Sequence, residues 1–137
     1  MTSPQAHASA RPPLQIPDTE TVPLGELLAR VAEARERGLR FVTATCLDSG
    51  DHFELYYHFA EGNDLSHLRV LVTKGTEVPS ISGIYFCAFL VENEIKELFG
   101  VPISGIAIDY KGRLLLTEGG PVTPMLKTSD ARARKSA

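Results

Sequence analysis

The sequence predicts an α+β domain, a small antiparallel β-sheet packed with two helices, between flexible N- and C-terminal tails. Three observations carry this. Leu24, Leu27, Leu28, Val31 and Ala34 recur at helical spacing. Three runs rich in β-branched and aromatic residues follow, joined by short turns. A largely apolar stretch from Gly83 to Leu98 is long enough for a second helix and stops at Gly100. With 137 residues, 43% of them apolar, the chain fits one domain with its own core.

Met1 to Pro17 is rich in Ser, Ala and Pro and cannot bury enough surface to offset its ordering entropy. Residues 1–17 are therefore expected to be a disordered tail, 18–116 a single domain, and 117–137 an extended C-terminal tail. Pro23 suits a first helical turn, where its missing N–H is an orphan in any case. Gly38 ends that helix, which turns Glu26, Arg30, Glu33 and Arg37 toward water. Arg40 to Leu47, His52 to Ala60 and Leu65 to Thr73 read as strands. Asp48-Ser49-Gly50-Asp51 and Glu61-Gly62-Asn63-Asp64 supply the turns, so the three form an antiparallel meander with one face on a helix. Ser80 or Ser82 can cap the second helix. Past Thr117 come Gly119-Gly120-Pro121, Pro124 and the basic ARARK. If that tail orders on a partner, Val122, Met125 and Leu126 are its anchors.

The bulk numbers exclude several classes of function. A net charge of -3 leaves no basic footprint for nucleic acid. Cys46 and Cys87 lie far apart, outside any zinc-type spacing, and read as free thiols in a reducing compartment. No apolar signal segment follows Met1. The longest apolar run, Ile84 to Val91, is far short of the roughly 20 residues that cross a bilayer. The expected location is the cytoplasmic side of the membrane, reached only through a partner.

The second helix has two unlike halves. Ile84 to Val91 has no polar stripe, and a helix apolar on every side must be covered on every side. One small sheet covers one side. Loops, the first helix or a partner protein must cover the rest. From Glu92 the helix is amphipathic, with Val91, Ile95 and Leu98 on its core stripe. Glu92 and Lys96 are spaced to pair at i,i+4. Glu94 and Glu97 share another face near the helix C-terminus, where the macrodipole disfavours them. Arg113 or a partner's cation would compensate. Acid–base catalysis needs two groups with separated pKa values in a cleft, and the sequence sets no histidine beside these carboxylates. His7 is in a tail. His52 and His58 lie on one face of one strand with His67 on the next, which leaves a metal trio or a solvated sheet face open. A stand-alone metal protein, a carboxylate enzyme or a generic α+β binding module are the alternatives from other classes.

The order Glu92, Glu94, Glu97, Leu98-Phe99, Gly100, then Arg113 and Leu114-Leu115-Leu116 resembles a family signature. The family is the C-type (30 kDa) subunit of bacterial NADH–quinone oxidoreductase, with its relatives in membrane-bound energy-converting nickel–iron (NiFe) hydrogenases. Two positions depart from the quinone-linked branch. Asn93 stands where that branch usually has Arg, and Ile106-Ala107 follows Gly105 where it tends to have His-Pro. Ile108-Asp109-Tyr110-Lys111-Gly112 looks closer to the small D-type subunit of energy-converting hydrogenases, including the CO-induced kind. The resemblance implies a non-catalytic accessory subunit without a cofactor of its own. Its partners would be a hydrogenase large subunit and a small iron–sulfur subunit, carrying NiFe and 4Fe-4S centres. The C-type subunit of an NADH/quinone oxidoreductase is the alternative. In this reading Glu94, Glu97 and Asp109 are interface or internal-pairing groups, with Arg113 their cation.

Overall fold

The computed structural model describes residues 16–116 and 119–127. Of the expected tails, 1–17 and 117–137, residues 1–15, 117–118 and 128–137, with His7 and the ARARK stretch, lie outside the described residues. The fold is α+β. A four-stranded sheet carries the 3-10 turn Leu24–Glu26, helix α1 (Leu27–Glu36) and helix α2 (Ala88–Phe99). A two-residue parallel pair, β5 (Val78–Pro79) with β6 (Ile103–Ser104), closes the loops beside α2.

The meander is where the alternating runs put it. β2 (Arg40–Asp48), β3 (His52–Glu61) and β4 (Asp64–Thr73) pair antiparallel, with Ala44 opposite Tyr57 and Leu55 opposite Val70. A bulge between Phe41 and Thr43 shifts the β2 register, so that Phe41, Ala44 and Cys46 all face inward. Phe53, Leu55, Tyr57, Phe59, Leu68, Val70 and Val72 complete the inner face. Leu27, Val31 and Ala34 of α1 pack against it, and so do Ala88 and Ile95 of α2.

The sheet is mixed, where an antiparallel one was expected. β1 (Thr19–Thr21) adds parallel to the outer edge of β4, pairing Thr19 with His67 and Thr21 with Arg69. Three polar residues carry no alternation to read. They are held instead because β4 has an open edge, and the Val22 N–H continues the pairing to the Arg69 carbonyl at 2.9 Å.

The second helix also differs. It begins at Ala88, not Gly83. Residues 81–87 turn tightly, with the Ile84 and Tyr85 N–H groups both donating to the Ile81 carbonyl at 2.9 Å. Tyr85 is buried against Phe41 and Phe59, and its hydroxyl donates to the Leu39 carbonyl at 2.7 Å. Phe86 swings the other way and is 58% exposed. The run from Ile84 to Val91 is thus not one helix needing cover all round. Ser80 and Ser82 do not cap the helix, whose N-cap position is Cys87 with no side-chain cap bond. Gly100 ends α2 in the left-handed region at φ 76, its N–H donating to the Lys96 carbonyl. A Cβ there would meet the Thr123 methyl at 3.0 Å.

That approach comes from residues 119–127, which lie on the domain itself. The Met125 N–H donates to the Leu98 carbonyl at 2.9 Å, and Leu126 packs against the core. The Lys127 N–H reaches the Asp48 carboxylate at 2.5 Å, which Lys74 also pairs with at 2.7 Å. Of the three expected anchors, Leu126 is used within the chain, while Val122 and Met125 stay exposed.

Candidate functional site

Helix α2 carries Glu92, Asn93, Lys96 and Glu97 at spacings of one, four and five. On a helix these form one continuous polar stripe. Each member reaches a different part of the irregular chain around α2. The expected Glu92–Lys96 pair does not form, because both groups are used elsewhere.

Glu92 is 1% exposed. Its carboxylate accepts the Ser80 hydroxyl at 2.5 Å and the Ile81 N–H at 2.9 Å. Ser80, having donated to Glu92, accepts from the Ser82 hydroxyl at 2.7 Å, and Ser82 Oγ in turn accepts the Ala107 N–H at 2.8 Å. Burial raises the Glu92 pKa, opposed by these donors. Beneath it the buried Tyr57 hydroxyl is pushed far above its usual range, by burial first and by Glu92 second.

Asn93, 2% exposed, uses its whole amide. Nδ2 donates to the Phe89 and Ile108 carbonyls, both at 2.7 Å, and Oδ1 accepts the Tyr110 N–H at 2.9 Å. An arginine, which only donates, cannot make the last bond. Lys96 pairs with Asp109 at 2.8 Å, and this bond holds the Asp109 carboxyl below its usual pKa. Glu97 is buried and accepts the N–H groups of Leu115 and Leu116, each at 2.8 Å. Arg113 lines the same cleft as Glu97, about 380 Å³ in volume, with Lys96, Lys111 and Val122. Glu94 is exposed on the opposite side of the helix.

The stripe thus wires segment 105–116 to the helix. That segment has no strand or helix of its own, so its N–H and C=O groups need outside partners. Sequence reasoning offers Ser80 and Ser82 only as caps and Asn93 only as a departure from the quinone-linked pattern, and misses the bonds they make. The signal was present in the stripe spacing, where an asparagine between two glutamates continues the polar face.

The wiring also shapes a surface. Asn93 holds Tyr110 so that its ring stacks on Phe89 at 6.5 Å, and Phe89 meets Phe86 at 5.0 Å. Phe86 and Tyr110 are exposed on either side of Phe89, and Leu90 and Ile108, near them in sequence, are exposed too. Large exposed aromatic patches mark interaction sites.

The other candidates do not converge on chemistry. His58 and His67 meet at 2.7 Å between Nδ1 atoms, with Thr45 Oγ1 2.8 Å from His58 Nε2. Burial and the neighbouring ring lower the His58 pKa. His52 is on the same face, but six residues along the strand, roughly 20 Å away. It pairs with Asp51 instead. Among the described residues no group of three or more potential metal ligands comes together. Cys46 is buried and its thiol is pushed up to about 12, while Cys87 is exposed.

The family described as "Respiratory-chain NADH dehydrogenase, 30 Kd subunit" matches residues 17–135. In fold, the chain is similar to one in the membrane-bound sulfane sulfur reductase, an archaeal respiratory membrane complex. The TM-score is 0.61 at 20% identity, over 72% of this chain and 62% of the other. The chain therefore spans less than two thirds of that neighbour's length. No curated protein sequence matches it.

Proposed function

Because this chain belongs to the 30 Kd subunit family of respiratory-chain NADH dehydrogenase, we propose that it is a non-catalytic accessory subunit of a membrane-bound energy-converting NiFe hydrogenase. It docks on the large catalytic subunit and the small iron–sulfur subunit, which carry the NiFe and 4Fe-4S centres. Its place is peripheral, on the cytoplasmic side. Among the described residues no helix is long and apolar enough to cross a membrane.

One observation carries this reading: the acidic motif of α2 is engaged by the chain's own backbone. Glu92, Asn93 and Glu97 accept or donate to main-chain groups, and Lys96 is tied to Asp109. What the wiring leaves uncovered is the aromatic face of Phe86, Phe89 and Tyr110. That arrangement suits a docking subunit. The full employment of Asn93, where the quinone-linked pattern has Arg, supports the hydrogenase branch. The family description itself favours the second reading, the C-type subunit of an NADH–quinone oxidoreductase.

The test is recovery of this chain, tagged at its N-terminus, from its source membranes in mild detergent, with partners read by mass spectrometry. A hydrogenase large subunit with a small iron–sulfur subunit supports the first reading, and NADH-binding subunits support the second. A soluble monomer without partners overturns both.

A further inference from the structure

Strand β2 is one edge of the four-stranded sheet, whose order is β1–β4–β3–β2. It runs nine residues, Arg40–Asp48, and pairs with β3 alone. Among the described residues no backbone hydrogen bond reaches Phe41 to Leu47 from the other side. The stretch RFVTATCLD does little to guard that edge. It has no proline, and no charge between Arg40 and Asp48. One bulge interrupts it. Natural edges are usually blunted by proline, lysine or inward-pointing charge, and a long edge without them is a template for a further strand.

Helix α2 runs beside this edge. Between them lies a groove of about 220 Å³, lined by Ala44, Cys46, Val91, Ile95, Leu98 and Met125. Glu94 stands on its rim, exposed. None of the ion pairs among the described residues engages it. An open sheet edge next to a helix-lined apolar groove is how extended peptides are bound. Their backbone pairs with the edge, and every second side chain enters the groove.

We propose that β2 accepts an extended strand from a neighbouring subunit. Its alternate apolar side chains lie against Val91, Ile95, Leu98 and Met125, and a basic residue faces Glu94. A second copy of this chain fits poorly. Antiparallel β2–β2 pairing continues the sheet and sets one α2, with its Glu94, against the other across the seam. Like charges then meet over the groove, whereas a basic strand complements it. The inference rests on the accessory-subunit reading and names how one neighbour is held.

The test takes the complex purified through a tag on this chain and compares its amide hydrogen exchange with that of the isolated full-length chain. The amides in 41–47 that point away from β3 should exchange at least about tenfold more slowly in the complex. Glu94→Lys, an exposed change, should lower recovery of the neighbour about three- to tenfold. Met125→Asp, which places a charge in the groove, should do the same. Neighbours recovered with β2 exchange unchanged overturn this inference and leave the accessory reading standing. No neighbours recovered overturns both. A dimer of the isolated chain with β2 protected overturns it in favour of a second copy.

Discussion

Replacing Asn93 with Asp tests the wiring of α2 at its most constrained point. The two side chains have one shape, so packing is held constant. The Tyr110 N–H keeps its acceptor, now at 2.9 Å from a carboxylate oxygen. The two donations at 2.7 Å, to the Phe89 and Ile108 carbonyls, are lost. Phe89 keeps its helical partner, but the part-buried Ile108 carbonyl loses its Asn93 donor, which costs up to about 1–3 kcal/mol. The new carboxylate also faces two carbonyl oxygens where Asn93 is 2% exposed. Its folded pKa is therefore raised, at about 1.4 kcal/mol per unit. Together the penalty at pH 7 is about 2–4 kcal/mol. At about 4 °C per kcal/mol for a domain of this size, Tm falls by about 8–16 °C. The sign of the pH dependence follows. A group whose folded pKa is raised is harmless below its unfolded value, about 3.9 for Asp, and costs stability as pH rises through the folded value. The gap between wild type and variant should therefore narrow in acid, where the protonated carboxyl can again donate to Ile108. Thermal melts between pH 4 and 8 measure it. If residues 108–110 let go locally, the Tm loss is capped but the Tyr110 N–H exchanges faster. A Tm within about 1 °C of wild type at pH 7, with Tyr110 exchange unchanged, would refute the reasoning.

Glu97→Ala removes a charged acceptor from two backbone N–H groups and should cost about 2–4 kcal/mol, with faster exchange at Leu115 and Leu116 and weaker assembly, the partners' cofactors remaining intact. Normal assembly with lost turnover would contradict this and point to proton handling. Burial raises the Glu92 pKa, so wild type should lose stability relative to Glu92→Gln as pH rises through that value, and a difference that stays flat with pH in urea titrations would be inconsistent with it. Phe86→Ser, on an exposed ring, should change stability by no more than about 0.5 kcal/mol while reducing recovery of neighbours; full recovery would remove the aromatic face from the docking surface. With Cys46 buried and its thiol at about 12, and Cys87 exposed, a maleimide should label one thiol per folded chain and two after denaturation. Two fast-labelling thiols in the folded chain would contradict the placement of Cys46.

What the sequence made legible depended on repetition. The meander could be read because three runs alternate apolar and polar residues, and side chains on a strand alternate in the same way. Helix α1 could be read for the equivalent reason at a period near four. Thr19–Thr21 could not, because three polar residues show no period and pair only where β4 offers an edge. The start of α2 was misplaced because periodicity cannot tell an apolar helix turn from an apolar chain turn. Tertiary contacts separate them, among them the bond from the Tyr85 hydroxyl to the Leu39 carbonyl, which spans 46 residues. The backbone bonds of the carboxylates escape sequence reading for a different reason. A glutamate on a helix is usually scored against other charges, Glu92 against Lys96, and Glu94 and Glu97 against Arg113 or a partner's cation. In the fold, Glu92 and Glu97 instead accept backbone N–H groups from segments with no regular structure. Such a segment carries one donor and one acceptor per residue and cannot be buried until they are met. A carboxylate, with two oxygens, can take two neighbouring N–H groups at once, as Glu97 does for Leu115 and Leu116. A row of acidic residues just before a helix-ending glycine and a long irregular connector is therefore readable as an acceptor set for that connector. On that reading Glu94, which faces away from the stripe, is the motif carboxylate left to meet a partner.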